Sequence, residues 1–198
     1  MPFPSPPWRM QGQMWLTLLR VPTAGPGNRP AGVYGVGLVD YQPGSVLTYG
    51  ELLVARQVTV RAPADKAGKH VTVTDIWVDS APSRDGGRSL WAVPKDLATF
   101  TWEERAGRVA CAVEDDRGPI TRVTVGLPRV TFPRVPFSGT TWQPREDGSS
   151  VTSSLTGSAR SFPVRSDWEF APEGPLGWLV GARPLATVAM RDFRMTFG

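Results

Sequence analysis

The sequence is poor in the residues that carry most enzyme chemistry, with one histidine and one cysteine in 198 residues. A lone cysteine makes no internal disulfide, which fits a reducing compartment. Cys111 also sits in an alternating apolar run, Val109-Ala110-Cys111-Ala112-Val113, that reads as a core strand. A Ser-His-Asp or Cys-His arrangement would have to use His70, which opens an alternating strand, and no Gly-x-Ser-x-Gly turn is present to offer a serine. The same shortage removes the usual zinc and transition-metal sites, so no metal is expected. Long apolar runs are missing too. Residues 14–19 form the longest early one, too short for a bilayer span or a signal-peptide core, and a soluble, cytoplasmic protein without a membrane partner is the expectation.

A formal charge of +4, with acidic residues interspersed among the arginines, segregates no basic face, so no nucleic-acid partner is expected. The run Gly32-Val33-Tyr34-Gly35-Val36-Gly37 lacks the third glycine and the following helix of a dinucleotide fingerprint. These glycines are expected to relieve crowding at a barrel bend, and no cofactor is expected. Of the eight tryptophans, Trp15, Trp77 and Trp91 fall in apolar segments and read as core, whereas Trp142, Trp168 and Trp178 lie nearer polar or turn sequence and could line a cavity mouth.

What the chain does hold is punctuation. Its 21 glycines and 20 prolines are scattered between apolar runs, as turn residues are. Strand-like segments occupy residues 13–21, 32–40, 46–62, 69–78, 88–93, 108–114, 120–126 and 150–165, with a closing strand over 186–197. Turn sequences such as Ser83-Arg84-Asp85-Gly86-Gly87 and Asp115-Asp116-Arg117-Gly118 separate them. Residues 94–98 and 175–180 could each form a single helical turn. One domain over residues 1–198 is expected, mainly β, an antiparallel barrel or sandwich with few short helices, after an extended proline-rich arm over 1–12.

Lysine is the third scarcity. Only Lys66, Lys69 and Lys95 appear among the 22 basic residues. Lys66 and Lys69 lie in a polar turn, whereas Lys95 follows Leu90-Trp91-Ala92-Val93-Pro94. A lysine can lose its proton and become a nucleophile, which arginine cannot, although on spacing alone Lys95 also reads as an amine snorkelling to water beside Asp96. If an extended segment 88–93 continues through Pro94, Lys95 shares a face with Val93, Trp91 and Ser89, and Asp96 points away. Glu51 interrupts an apolar strand, either as an edge residue or as a buried carboxylate. A carboxylate and an amine buried in one small barrel are expected to meet, since each alone is costly to desolvate.

The stretches Tyr49-Gly50-Glu51, Gly87-Arg88-Ser89 and Pro94-Lys95-Asp96 resemble the acetoacetate decarboxylase family, whose hallmarks are a Tyr-x-Glu strand and, downstream, Gly-Arg-Glu running into Pro-Lys-Lys. The resemblance implies a closed, cone-like antiparallel β-barrel, often oligomeric, with Lys95 as the Schiff-base lysine and Glu51 as the carboxylate beside it. It further implies Arg88, Tyr49 and Gln13 as substrate contacts and a small keto acid as substrate. Asp96 stands where the family has its second lysine, and Gln11-Gly12-Gln13 where it has a first-strand arginine. The expected activity is a carbon–carbon lyase, a β-keto-acid decarboxylase such as one acting on acetoacetate. Two alternatives stay open: an aldolase-dehydratase working through a pyruvate-type enamine, and a non-catalytic small-ligand barrel.

Overall fold

Side chains alternate between two apolar environments along most of the chain, and this alternation organises the fold. A computed structural model describes residues 3–60, 67–127 and 132–198. Lys66 lies outside the described residues, as does the end of the segment expected as a strand over 46–62.

The elements in order are β1 (Trp8–Val21), β2 (Gly32–Tyr41), β3 (Tyr49–Val60), β4 (Gly68–Val78), α1 (Ala81–Trp91), β5 (Lys95–Leu97), β6 (Thr99–Arg105), β7 (Arg108–Asp115), β8 (Gly118–Gly126), β9 (Arg134–Pro144), β10 (Ser150–Pro163), β11 (Ser166–Phe170), a 3-10 turn (Gly177–Leu179) and β12 (Arg183–Phe197). One sheet runs β3-β2-β1-β12-β10-β9-β4-β5, and a further β3–β4 pairing closes its first seven strands into a barrel. Its ladders are antiparallel except where β4 meets β5 and β9. A second sheet, β11-β8-β7-β6, covers part of the outer wall.

Alternation assigns the two faces. Inward-facing Met10, Val39, Tyr41, Ile76, Val78 and Phe193 make the interior cluster, while outward-facing Trp15, Leu38, Leu52 and Trp77 pack against Val113 and Ile120 of the second sheet. Gly35 and Gly37 face inward. A side chain on Gly37 would come within 3.0 Å of Met14 and 3.3 Å of Leu53, so these glycines leave room for longer side chains in the interior, as their spacing suggested.

Strands β6, β9 and β11 lie where none was expected, and three segments take another form than expected. Residues 88–93 are not a strand: Arg88 to Trp91 form the last turn of α1, and the expected turn at 83–87 lies inside the same helix. The Ser80 side chain caps it by accepting the Ser83 N–H at 3.3 Å, and a proline stands in the first turn. Ala92 then turns left-handed (φ 54°) and donates its N–H to the Arg88 carbonyl. The pair Gly86-Gly87 weakens helix propensity but permits close packing, because a Cβ on Gly86 would stand 2.6 Å from the Trp8 ring. Residues 95–97, expected within a helical turn, instead form β5, parallel to β4 with Lys95 opposite Ile76. Finally, β1 begins at Trp8, inside the segment expected to be an arm.

Candidate active site

Four elements bring five polar side chains to one buried point. Tyr49 and Glu51 alternate inward on β3, Tyr41 does so on the neighbouring β2, Ser83 comes from the first turn of α1, and Lys95 begins β5. Lys95 is 6 % exposed and Glu51 4 %. The Lys95 ammonium donates to Glu51 Oε2 at 2.7 Å, to Ser83 Oγ at 3.0 Å and to the Tyr49 hydroxyl at 3.3 Å. Three acceptors use its three protons. Tyr41 donates to the other carboxylate oxygen, Glu51 Oε1, at 3.1 Å. The ammonium also lies 5.1 Å from the Tyr49 ring centroid, within cation–π range.

The electrostatics follow from this packing. Burial is the largest influence on Lys95 and pulls its pKa down. The charge of Glu51, then Tyr49 and the hydrogen bonds to both, outweigh burial, so the net shift is upward and the resting group is an ammonium. Burial pushes Tyr49 up to about 12 against the lowering effect of Lys95, and lifts Tyr41 well above its usual value with Glu51 adding to the rise. Both phenols therefore stay neutral beside the ion pair. Burial pushes the Cys111 thiol to about 12, which leaves it inert as a rival nucleophile. His70, on β4, is bonded to Thr140 of β9 at 2.8 Å.

Two residues expected as substrate contacts lie elsewhere. Arg88 is exposed on the outer side of α1. Its Nε donates to the Lys95 carbonyl at 2.6 Å and its Nη2 to Asp96 at 2.5 Å, so it braces the backbone of the lysine rather than reaching the interior. Asp96 points outward, as alternation predicts; Ser89 is exposed and does not share the face of Lys95. Gln13 has the parity of Gln11 and Trp15 on β1, whereas Met10 and Met14 face the interior. Tyr49 alone of the three touches the Lys95 ammonium.

Ser83 and Tyr41 were not singled out from the sequence, and Gly87 entered only as part of the Gly87-Arg88-Ser89 motif. A side chain on Gly87 would stand 2.8 Å from Lys95 Cδ and 3.0 Å from Cε, so the aliphatic stem of the lysine lies directly on the helix backbone. A helix reading of 81–91, from Ser80 followed by Pro82, would have put Ser83 and Gly87 on one face.

One end of the barrel is closed around this point by Trp8, Trp91 and Phe197, whose ring centroids are 4.7 Å apart at each contact. Toward the other end the inward-facing residues become progressively exposed: along β1 from Met10 through half-buried Met14 and Leu16 to Leu18 (40 %), along β2 from Tyr41 to Val33 (45 %), and along β4 from Ile76 to Val71 (41 %). The end of the barrel opposite Trp8, Trp91 and Phe197 is thus the solvent-exposed one. Two surface clefts, of about 430 and 360 Å³, lie away from Lys95, one beside His70 and Ser153, the other beside Trp168 and Leu179.

Comparisons with known proteins agree with this architecture. The sequence model of the acetoacetate decarboxylase family matches residues 26–145. The acetoacetate decarboxylase from Legionella pneumophila superposes with a TM-score of 0.70 at 14% identity, covering 99% of this chain and 86% of that one. The enduracididine biosynthesis enzyme MppR superposes at 0.65 and 18% identity over 98% and 86%. An acetoacetate decarboxylase-like enzyme from Sphingomonas wittichii RW1 does so at 0.61 and 15% over 97% and 90%. No curated protein matches the sequence at a significant level. The family match spans more than half of the chain and includes both Glu51 and Lys95, and the chain belongs to the acetoacetate decarboxylase family.

Proposed function

We propose that Lys95 is the Schiff-base nucleophile of an enzyme acting on a keto acid, with Glu51 as its proton partner. The observation that carries this reading is the buried 2.7 Å contact between Lys95 Nζ and Glu51 Oε2. At an unperturbed pKa only about one lysine in 2,500 is neutral at pH 7, and an upward shift makes the free amine scarcer still. A proton passed along that hydrogen bond gives a neutral amine and a neutral acid with no change in net charge, which a low-dielectric site tolerates better than an isolated charge.

The amine then adds to the keto carbon and the carbonyl oxygen departs as water, leaving an iminium. In a β-keto acid the bond to the carboxylate carbon breaks, its electron pair flows to the iminium nitrogen, and carbon dioxide leaves an enamine. Protonation at carbon and hydrolysis release a ketone and return Lys95. Glu51 is placed to return the proton it took, and Tyr41, bonded to its other oxygen, holds it in position.

A second reading is supported by the outward turn of Arg88: among the described residues no arginine bonds to the polar cluster to receive the substrate carboxylate. In that reading the enamine attacks an aldehyde and the product is dehydrated. MppR, similar in fold, has been seen complexed with the condensation product of pyruvate and imidazole 4-carboxaldehyde. Both readings share the iminium.

The test is incubation with acetoacetate or pyruvate, reduction with borohydride, and location of the adduct by mass spectrometry. An adduct on Lys95 that disappears in Lys95→Ala supports the enzyme. Its absence with every keto acid tried favours a ligand-binding barrel without chemistry.

A further inference from the structure

We infer that the carbonyl compound held at Lys95 carries an apolar chain that runs up the cone to its wide mouth, longer than the methyl group of acetoacetate. This rests on the proposed role of Lys95 and names the substrate class of that same site.

Three observations carry it. The polar groups of the cluster are gathered at the closed end, around Lys95. Above them the inner wall is apolar and reachable by solvent: Met14, Leu53, Val73 and Met190 are half-buried members of the interior cluster, and Leu16 and Leu18 lie over the bare face of Gly35. Four inward-facing residues near the mouth, Leu18, Val33, Val71 and Val135, are 40 to 52 % exposed, an unusual arrangement for large aliphatic side chains that share a face with a core. The apolar lining ends where Arg20 and Arg183 stand opposite each other across β1 and β12.

The dimensions suit a chain. From Tyr41 to Val33, β2 climbs about 20 Å of barrel height at ~3.3 Å per residue and a ~40° tilt. A substrate ending at a methyl group would fill only the bottom of that depth and leave the apolar lining wet. Each methylene added beyond the carbonyl moves from water onto that lining, which increases affinity by about fourfold. The chain also displaces water from above the Lys95–Glu51 pair, where water competes with proton transfer.

The experiment measures half-saturating concentrations for borohydride trapping at Lys95 with methyl ketones from acetone to 2-nonanone. Isothermal titration with the same ketones, without reductant, runs in parallel. The expected result is a fall of about fourfold per methylene in both readouts, with Val33→Asp and Leu18→Asp reducing the ratio between long and short ketones. A flat or rising series overturns the inference even if acetone or acetoacetate traps well. Length-dependent binding without any adduct upholds the chain site and refutes Lys95 as nucleophile. If Val33→Asp instead changes the mass of the particle in solution and leaves the length series untouched, the mouth is an interface with a second copy of the chain, and the inference fails.

Discussion

The stem of Lys95 lies against the bare backbone of Gly87, where a methyl group would stand 2.8 Å from its Cδ. The lysine is pinned at both ends, by its strand pairing with β4 and by the acceptors of its ammonium, so it has little room to give. In Gly87→Ala the better helix former contributes about 1 kcal/mol. Overpacking costs about 1–3 kcal/mol. A net loss of stability is expected in urea denaturation, together with at least a tenfold slower trapping of keto acid at Lys95. A gain in stability with undiminished trapping would show that the contact is not confining.

Glu51→Gln should lower the pKa of Lys95. Burial pulls that pKa down and the Glu51 charge reverses the pull; without the charge, burial prevails. In the parent chain the upward shift contributes stability that is complete below about pH 10.5 and is lost as pH rises through the higher folded value. In the variant the folded value lies below the unfolded one, so the lysine opposes folding more as pH falls toward it. With so few lysines, the 13C resonance of Lys95 Cε can be followed directly, and a midpoint at or above its ordinary value would refute this account.

Removing one partner of the buried pair should cost more than removing both. Lys95→Met leaves Glu51 buried without its cation, at a cost of about 3–5 kcal/mol. The double variant Lys95→Met, Glu51→Leu replaces the pair with apolar volume and is expected to regain most of that loss. Denaturation midpoints for the four members of the cycle decide it, and additive losses would contradict the coupling.

All three tyrosines, Tyr34, Tyr41 and Tyr49, are raised above their usual value, in each case chiefly by burial. A raised folded pKa means that the stabilisation from the neutral phenols is complete below about pH 10 and is lost as pH rises through the folded values, about 12 for Tyr49. Tyrosinate absorbance should therefore stay flat through pH ~10 and rise in one step as the chain unfolds. Gradual titration at the ordinary value, with the fold intact, would show the rings to be wetter than their packing implies.

The residue after the lysine should matter less than its charge suggests. Asp96 faces water and pairs with Arg88 on the surface, where such a pair is worth about 0–1 kcal/mol. Asp96→Ala is expected to change the trapping rate less than twofold. Arg88→Ala, which also removes the 2.6 Å bond to the Lys95 carbonyl, should slow it more. Equal effects would mean that Arg88 acts only through Asp96.

Lys95 and Glu51 were legible because their types are out of place where they stand, an amine and a carboxylate in apolar runs, and Tyr49 through the resemblance of Tyr49-Gly50-Glu51 to the family's motif. Ser83 was not, nor was the role of Gly87. Leu90-Trp91-Ala92-Val93 has the composition of a strand, and two adjacent glycines argue against a helix, so the segment that supports the lysine read as a turn and a strand. Tertiary contacts decide otherwise, since Gly86 seats Trp8 and Gly87 seats Lys95. Strand β9 was hidden for a related reason: Pro136, Gly139 and Pro144 read as loop, yet they fall in a ladder with β10. Gln13 and Arg88 show the limit of motif matching, since a motif fixes position along the chain but not the face on which a side chain emerges.

The ladder between β1 and β12 joins the two ends of the described chain, Trp8 opposite Phe197 and Leu18 opposite Ala186. Pairings of such separation raise contact order and form late when closure entropy dominates. With this seam open the barrel would be a curled sheet in which β2, β3 and α1 already supply the polar partners of Lys95, but the aromatic floor of Trp8, Trp91 and Phe197 would be unmade. Closing the seam therefore seals one end of the barrel beneath a lysine whose charge is balanced by other elements.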